Sequence, residues 1–280
     1  MFSTIISTAD LAEHLDDPNW AVIDARYDLA RPNWGHEAYL EAHIPGAIYA
    51  SLGHDLAAPV RPETGRHPLP DDAAWQKTVS GWGITPETQV VVYDANGGAF
   101  ADRTWWMLRH SGHAAVAVLD GGFPKWTREG RQTASGAETR PPYPFHGVID
   151  ASAVVSAAEV DRLRLDPAWR LVDARSPERY RGESEPIDAI AGHIPGAVNR
   201  FHGLNLTPEG VLKAPDVLRA EFDALLGGTP PDHVAVYCGS GVTSIFHLLA
   251  MEMAGLPGGK LYVGSWSEWI RDPNRPIGKA

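Results

Sequence analysis

A chain of 280 residues, 44% of them apolar, has the length of two ordinary domains and the composition of a folded globular protein. A formal charge of −11 argues against nucleic acid or an anionic membrane as partner, so a small anionic ligand has to be gathered by local arginines and backbone amides. The single cysteine, Cys238, excludes an intrachain disulfide and a multi-cysteine metal site and suits a reducing compartment.

The chain opens Met-Phe-Ser-Thr-Ile-Ile-Ser, with no basic residue before Arg26 and no apolar run of membrane-spanning length, so the cytoplasm is the expected location. Ser7-Thr-Ala-Asp-Leu-Ala-Glu-His-Leu reads as an amphipathic helix capped by Ser7 or Thr8. Trp20-Ala-Val-Ile-Asp-Ala-Arg26 follows as a strand ending in charge, and Ala42-His-Ile-Pro-Gly-Ala-Ile48 as a turn. A Pro-rich stretch from Ala58 to Asp72 reads as a surface excursion of this first half of the chain. Val90-Val-Val-Tyr-Asp94 is a buried strand, and Gly121-Gly-Phe-Pro-Lys-Trp126 closes the set.

The same set then returns. Ser7, Trp20, Asp24 and Arg26 recur as Ser156, Trp169, Asp173 and Arg175, all at an offset of 149. The turn returns as Gly192-His-Ile-Pro-Gly-Ala-Val198, the second strand as Val234-Ala-Val-Tyr-Cys238 and the last motif as Gly264-Ser-Trp-Ser-Glu-Trp269. An offset held over so many positions marks two copies of one domain, with length differences confined to loops. Strands alternating with helices predict, for each copy, a parallel sheet with helices on both faces. The expected division is 1–135 for the first copy, 136–152 for a Pro- and Gly-containing linker and 153–280 for the second copy.

Cys238-Gly-Ser-Gly-Val-Thr-Ser244 lies between a buried strand and the apolar run Ile-Phe-His-Leu-Leu-Ala-Met. A lone cysteine there is often a small buried apolar side chain. Two glycines and the hydroxyls that follow argue for something else. Gly239 and Gly241 let the backbone curl so that its N–H groups, with the start of the helix, face one anionic atom and lower the thiol's pKa. The first copy has Asp94 at the equivalent place.

Cys-Gly-Ser-Gly-Val-Thr, together with Asp-Ala-Arg, His-Ile-Pro-Gly-Ala and Gly-Ser-Trp-Ser-Glu-Trp, resembles tandem rhodanese-domain sulfurtransferases from end to end. Within them the loop is similar to that of 3-mercaptopyruvate sulfurtransferases; thiosulfate sulfurtransferases more often carry Cys-Arg-Lys-Gly-Val-Thr. The resemblance implies two rhodanese-like domains, the first non-catalytic and serving as one wall of the site. It also implies transfer of a sulfane sulfur from 3-mercaptopyruvate or thiosulfate to a thiol (a thioredoxin-like protein included) or to cyanide through a Cys238 persulfide, with no cofactor. The amides of Gly239, Ser240, Gly241, Val242, Thr243 and Ser244 would hold thiolate and persulfide.

By the same resemblance Arg179, in Arg175-Ser-Pro-Glu-Arg-Tyr-Arg, is the donor-binding arginine; the alternative is a salt bridge to Glu178 or Glu183. A second arginine common in mercaptopyruvate enzymes is replaced here by Glu185-Pro-Ile-Asp188. Ser240 either bonds the donor carbonyl and relays a proton, or is a turn residue. His43 and His193 sit in identical turns, which favours a structural role, while the resemblance allows His43 a proton relay with Ser240. Asp24, Arg26, Asp173 and Arg175 recur in both copies and read as structural, and Trp105, Trp106, Trp266 and Trp269 as core or interdomain packing. The histidines show no metal-ligand spacing, so no metal is expected. A stoichiometric sulfur-carrier or regulatory module is the rival function. A cysteine phosphatase is disfavoured because Ser244, not arginine, is the sixth residue after Cys238.

Overall fold

The computed structural model describes residues 1–280 as two compact units. The first comprises Met1–Ala58, Leu69–Asp150 and Pro208–Leu212; the second comprises Pro59–Pro68, Ala151–Thr207 and Lys213–Ala280. Most of the expected linker therefore lies with the first unit. There the Tyr143 N–H donates to the Ser80 carbonyl and the Phe145 N–H to Ser80 Oγ, each at 3.0 Å. The Pro-rich excursion is the larger surprise, because its residues 59–68 belong to the second unit.

The first unit runs β1 (Ile5–Ile6), α1 (Thr8–Ala12), β2 (Trp20–Asp24), α2 (Trp34–Glu41), β3 (Ile48–Tyr49), α3 (Asp72–Gly81), β4 (Gln89–Tyr93), α4 (Ala101–His110), β5 (Val116–Leu119) and α5 (Gly122–Arg128). Its strands pair in parallel in the order β1-β5-β4-β2-β3, with Val22 opposite Val91 and Val91 opposite Ala117. The apolar runs of β2, β4 and β5 are buried because helices cover both faces of the sheet. Ser7 caps α1 by accepting the Asp10 N–H at 3.0 Å.

The second unit repeats the order as α6 (Ala157–Leu163), β6 (Arg170–Asp173), α7 (Pro177–Arg181), β7 (Val198–Asn199), α8 (Pro215–Leu226), β8 (Val234–Tyr237), α9 (Ile245–Met253), β9 (Lys260–Leu261) and α10 (Ser265–Trp269). The sheet order is β7-β6-β8-β9, again parallel throughout, and Val154 bridges Leu261 where β1 pairs with β5 in the first unit. Ser156 and Glu159 form a reciprocal capping box on α6.

The duplicated motifs do the same work twice. Arg26 grips Asp24 and donates to the Ala42 carbonyl at 2.6 Å; Arg175 grips Asp173 and donates to the Gly192 carbonyl at 2.7 Å. The Tyr93 and Tyr237 hydroxyls accept the N–H groups of Ile44 and Ile194. These buried ionic clusters tie the His-Ile-Pro-Gly turn to the sheet in each copy. Trp105, Trp106, Trp266 and Trp269 are all buried.

Candidate active site

Cys238 directly follows β8, at the carboxyl end of a parallel sheet, where open α/β folds place ligands. The residue is 2% exposed. Burial opposes ionisation of its thiol. The Thr243 hydroxyl, the N–H groups of Ser240 and Ser244 and the Ser244 hydroxyl outweigh burial and hold the thiol below its ordinary pKa. Ser244 stands at the N-cap of α9 but its hydroxyl makes no cap bond, so it is spared for the thiol.

The two loop glycines answer different needs. Gly241 has φ of 71°, and a Cβ there would meet the Val263 carbonyl oxygen at 2.2 Å. At Gly239 a Cβ would lie 2.8 Å from Arg66 Nη2 and 3.6 and 3.7 Å from the two terminal nitrogens of Arg179. Gly239 thus makes room for two guanidinium groups beside the cysteine loop.

Arg179 pairs with neither Glu178 nor Glu183. Its Nε and Nη2 donate to Glu185 at 3.0 and 2.6 Å, and Nη2 also reaches Asp188 Oδ2 at 3.2 Å. Arg66 Nη1 pairs with the other oxygen of Asp188. Burial opposes ionisation of Glu185, but Arg179 and the Asp188 and Ile187 N–H groups hold its carboxyl below the usual range. Burial pushes Asp188 the other way, and Glu185 adds to it, against the pull of Arg66 and Arg179.

Ser240 Oγ is hydrogen-bonded to His67 Nδ1 at 2.8 Å, and both residues are buried. The hydrogen-bond partner of Ser240 is thus His67 rather than His43. The His43 Nδ1–H donates to the Tyr39 carbonyl at 2.8 Å, its ring stacks on Tyr39, and it is fully buried in the first unit. His193 does the same with Tyr180, so both histidines fasten their turns.

Arg66 and His67 escaped the sequence reading. The available signal was Gly65-Arg-His-Pro, an arginine and a histidine without counterparts in the second copy. Gly65 is needed because a Cβ there would meet the Gly264 carbonyl oxygen at 2.4 Å. The segment is then fastened by Ser267, whose Oγ accepts the Arg66 N–H at 3.0 Å while its own N–H donates to the Gly239 carbonyl at 2.9 Å.

Ser265 holds Cys238 from behind by accepting its N–H at 3.1 Å. It is the only non-glycine residue with left-handed backbone, at φ 54°; its counterpart in the first copy is Gly122, at φ 55°. Strain at that position accompanies a hydrogen bond that glycine could not make.

The rhodanese-like domain family matches this chain twice, over residues 7–129 and 156–272. The chain belongs to the rhodanese family of sulfurtransferases. It is 45% identical over 275 residues to the "Probable 3-mercaptopyruvate sulfurtransferase" of Pseudomonas aeruginosa, covering 98% of this chain and 97% of that protein. It is also 34% identical over 281 residues to the thiosulfate sulfurtransferase of Bos taurus, covering 96% and 93%. The solved 3-mercaptopyruvate sulfurtransferase from Leishmania major superposes with a TM-score of 0.84 at 29% identity, covering 95% of this chain and 74% of that one. As a tandem rhodanese, the chain has the two parallel α/β domains that its repeat predicts.

Proposed function

We propose that this rhodanese moves a sulfane sulfur from 3-mercaptopyruvate or thiosulfate to a thiol or cyanide through a persulfide on Cys238. The observation that supports it best is a buried thiol of lowered pKa, ringed by loop amides and hydroxyls, with two guanidinium groups at Gly239. With thiosulfate, the Cys238 thiolate attacks the outer sulfur, the S–S bond breaks and sulfite leaves with the electron pair. With 3-mercaptopyruvate, attack on the donor sulfur breaks the C–S bond, and the departing enolate takes a proton to become pyruvate. Ser240, bonded to His67, supplies that proton and is replenished through the imidazole. An acceptor thiolate, that of a thioredoxin-like protein included, or cyanide then attacks the terminal sulfur and returns the Cys238 thiolate.

Arg66 and Arg179 hold the donor's carboxylate or its sulfonate-like oxygens. The first copy, with Asp94 in place of the nucleophile, takes no covalent part. A persistent single thiol suits a reducing compartment such as the cytoplasm, and no helix is long and apolar enough to cross a membrane. The test is kcat/KM for both donors on one preparation, with thiol and with cyanide as acceptor. Turnover with ping-pong kinetics is expected; a single sulfur delivered per chain with no turnover would leave only a carrier.

A further inference from the structure

Asp188 is the least exposed member of a three-residue contact beside the cysteine loop. Its side chain is 5% exposed, against 23% for Arg66 and 16% for Arg179, and its two oxygens go one to each arginine. Those are the same guanidinium groups that crowd the vacant Cβ position of Gly239. We propose that Asp188 is a donor-selecting residue: by bridging Arg66 and Arg179 it cancels part of their charge and disfavours dianionic donors relative to monoanionic ones. The proposal rests on the reading of these arginines as the donor's anchors.

The charges around the arginines are balanced. Arg175 is matched by Asp173, Arg179 by Glu185, and Arg66 by Asp188. Glu185 and Asp188 differ in how they are held. Glu185 accepts from Arg175 and Arg179 and also from the Ile187 and Asp188 N–H groups, which makes it the group that orients Arg179. Asp188 Oδ1 and Oδ2 have arginines as their only partners. Replacing it leaves the backbone bonds of the loop in place and uncovers positive charge where the donor sits.

The electrostatics make the effect quantitative. Repulsion from one carboxylate acts on a dianion twice as strongly as on a monoanion in the same place. The gain for thiosulfate on removing that charge is therefore the square of the gain for mercaptopyruvate. The positions support a division of labour. Loops of the Cys-Arg-Lys-Gly type put cations on the residues after the cysteine, whereas here Arg66 fills that space from another segment and arrives with its own counter-charge.

The experiment is kcat/KM for 3-mercaptopyruvate and for thiosulfate on the full chain and on Asp188→Asn, Asp188→Ser, Asp188→Glu and Arg179→Ala, at low and raised salt. Asp188→Asn and Asp188→Ser should raise kcat/KM by about 3-fold for mercaptopyruvate and about 10-fold for thiosulfate, the gap closing as salt screens it. Asp188→Glu, which keeps the charge, should keep the wild-type ratio. A ratio that stays flat in both neutral variants, or that moves toward mercaptopyruvate, overturns the proposal. A fall for both donors does so too, because it would make Asp188 an organiser of the arginines. Arg179→Ala separates the two levels. If it lowers both values while the neutral variants leave the ratio flat, only the role of Asp188 fails; if it changes neither value, the arginine reading fails with it.

Discussion

The loops after β4 and β8 are built on one plan and end differently. In the first unit Asp94 fills its own cradle: Oδ1 accepts the N–H groups of Asn96 and Gly98 at 2.8 and 2.9 Å, and Oδ2 those of Phe100 and Ala101 at 2.7 and 3.0 Å. In the second unit the amides at the positions of Asn96 and Phe100 are those of Ser240 and Ser244, and they face the Cys238 thiol. The Ile245 N–H, counterpart of Ala101, turns instead to the Val242 carbonyl at 3.0 Å. One loop is satisfied by its own carboxylate. The other holds a single sulfur and adds two hydroxyls, Thr243 and Ser244, where the first has Ala99 and Phe100. The anion-binding geometry belongs to the fold, and the two copies differ in whether a carboxylate or a thiol occupies it.

The comparison breaks most visibly at Asp94. Asp94→Ala strands the two buried amides of Gly98 and Ala101 and the partly buried ones of Asn96 and Phe100, and should cost the first unit about 4 kcal/mol, read from urea unfolding. A loss below about 1 kcal/mol would mean that the carboxylate is not what completes that loop.

The second difference is acid sensitivity. His247 and His202 are pushed down by burial, with Arg200 adding to the effect at His247, to about 3 and about 4. Their counterparts in the first copy are Arg103 and Leu52, and that unit's own lowered histidine is His113. A folded-state pKa below the unfolded 6.5 means that the unfolded chain binds more protons as pH falls. Stability is thus complete above 6.5 and is lost downward toward about 4 and about 3, at about 1.4 kcal/mol per pH unit for each histidine. Hydrogen exchange at pH 7 and near pH 5 should show α9 losing protection faster than α4, and equal losses would count against it.

Arg179→Ala should lower kcat/KM for anionic donors by roughly 1.5–3 kcal/mol, mainly through KM. Unchanged kinetics would return Arg179 to its pairing with Glu185. The smallest effect is at Thr243. Thr243→Val removes a hydroxyl from the thiol and should raise the Cys238 pKa, seen as alkylation that begins at higher pH. An unmoved alkylation profile would shift the credit to the amides alone.

Much of this was legible in the residues. The Trp20/Trp169 and His43/His193 offsets gave away the duplication, and the continuous Val-rich strands predicted parallel sheets covered on both sides. Asp94 facing Cys238 in the alignment of copies marked which loop could react. Arg66 and His67 were not legible, because a Pro-rich segment has no periodicity to say what it packs on. Its place is decided by Gly65 fitting against Gly264 and by Ser267 accepting the Arg66 N–H, contacts some 200 residues apart in the chain. The same remoteness hid that the histidine bonded to Ser240 is His67. Ser265 was hidden for another reason: its left-handed backbone is invisible until the carbonyl and amide of Cys238 are seen on Trp266 and Ser265.

The central claim is that sulfur resides on Cys238 between two half-reactions. Incubating the chain with thiosulfate or 3-mercaptopyruvate and no acceptor, then measuring its intact mass and the modified peptide, tests it directly. The account predicts a chain heavier by one sulfur atom, the addition mapped to Cys238, removed by cyanide or thiol and absent from Cys238→Ser. Sulfur transfer by Cys238→Ser above the uncatalysed rate, or turnover by the wild type with no sulfur ever trapped on Cys238, would contradict it.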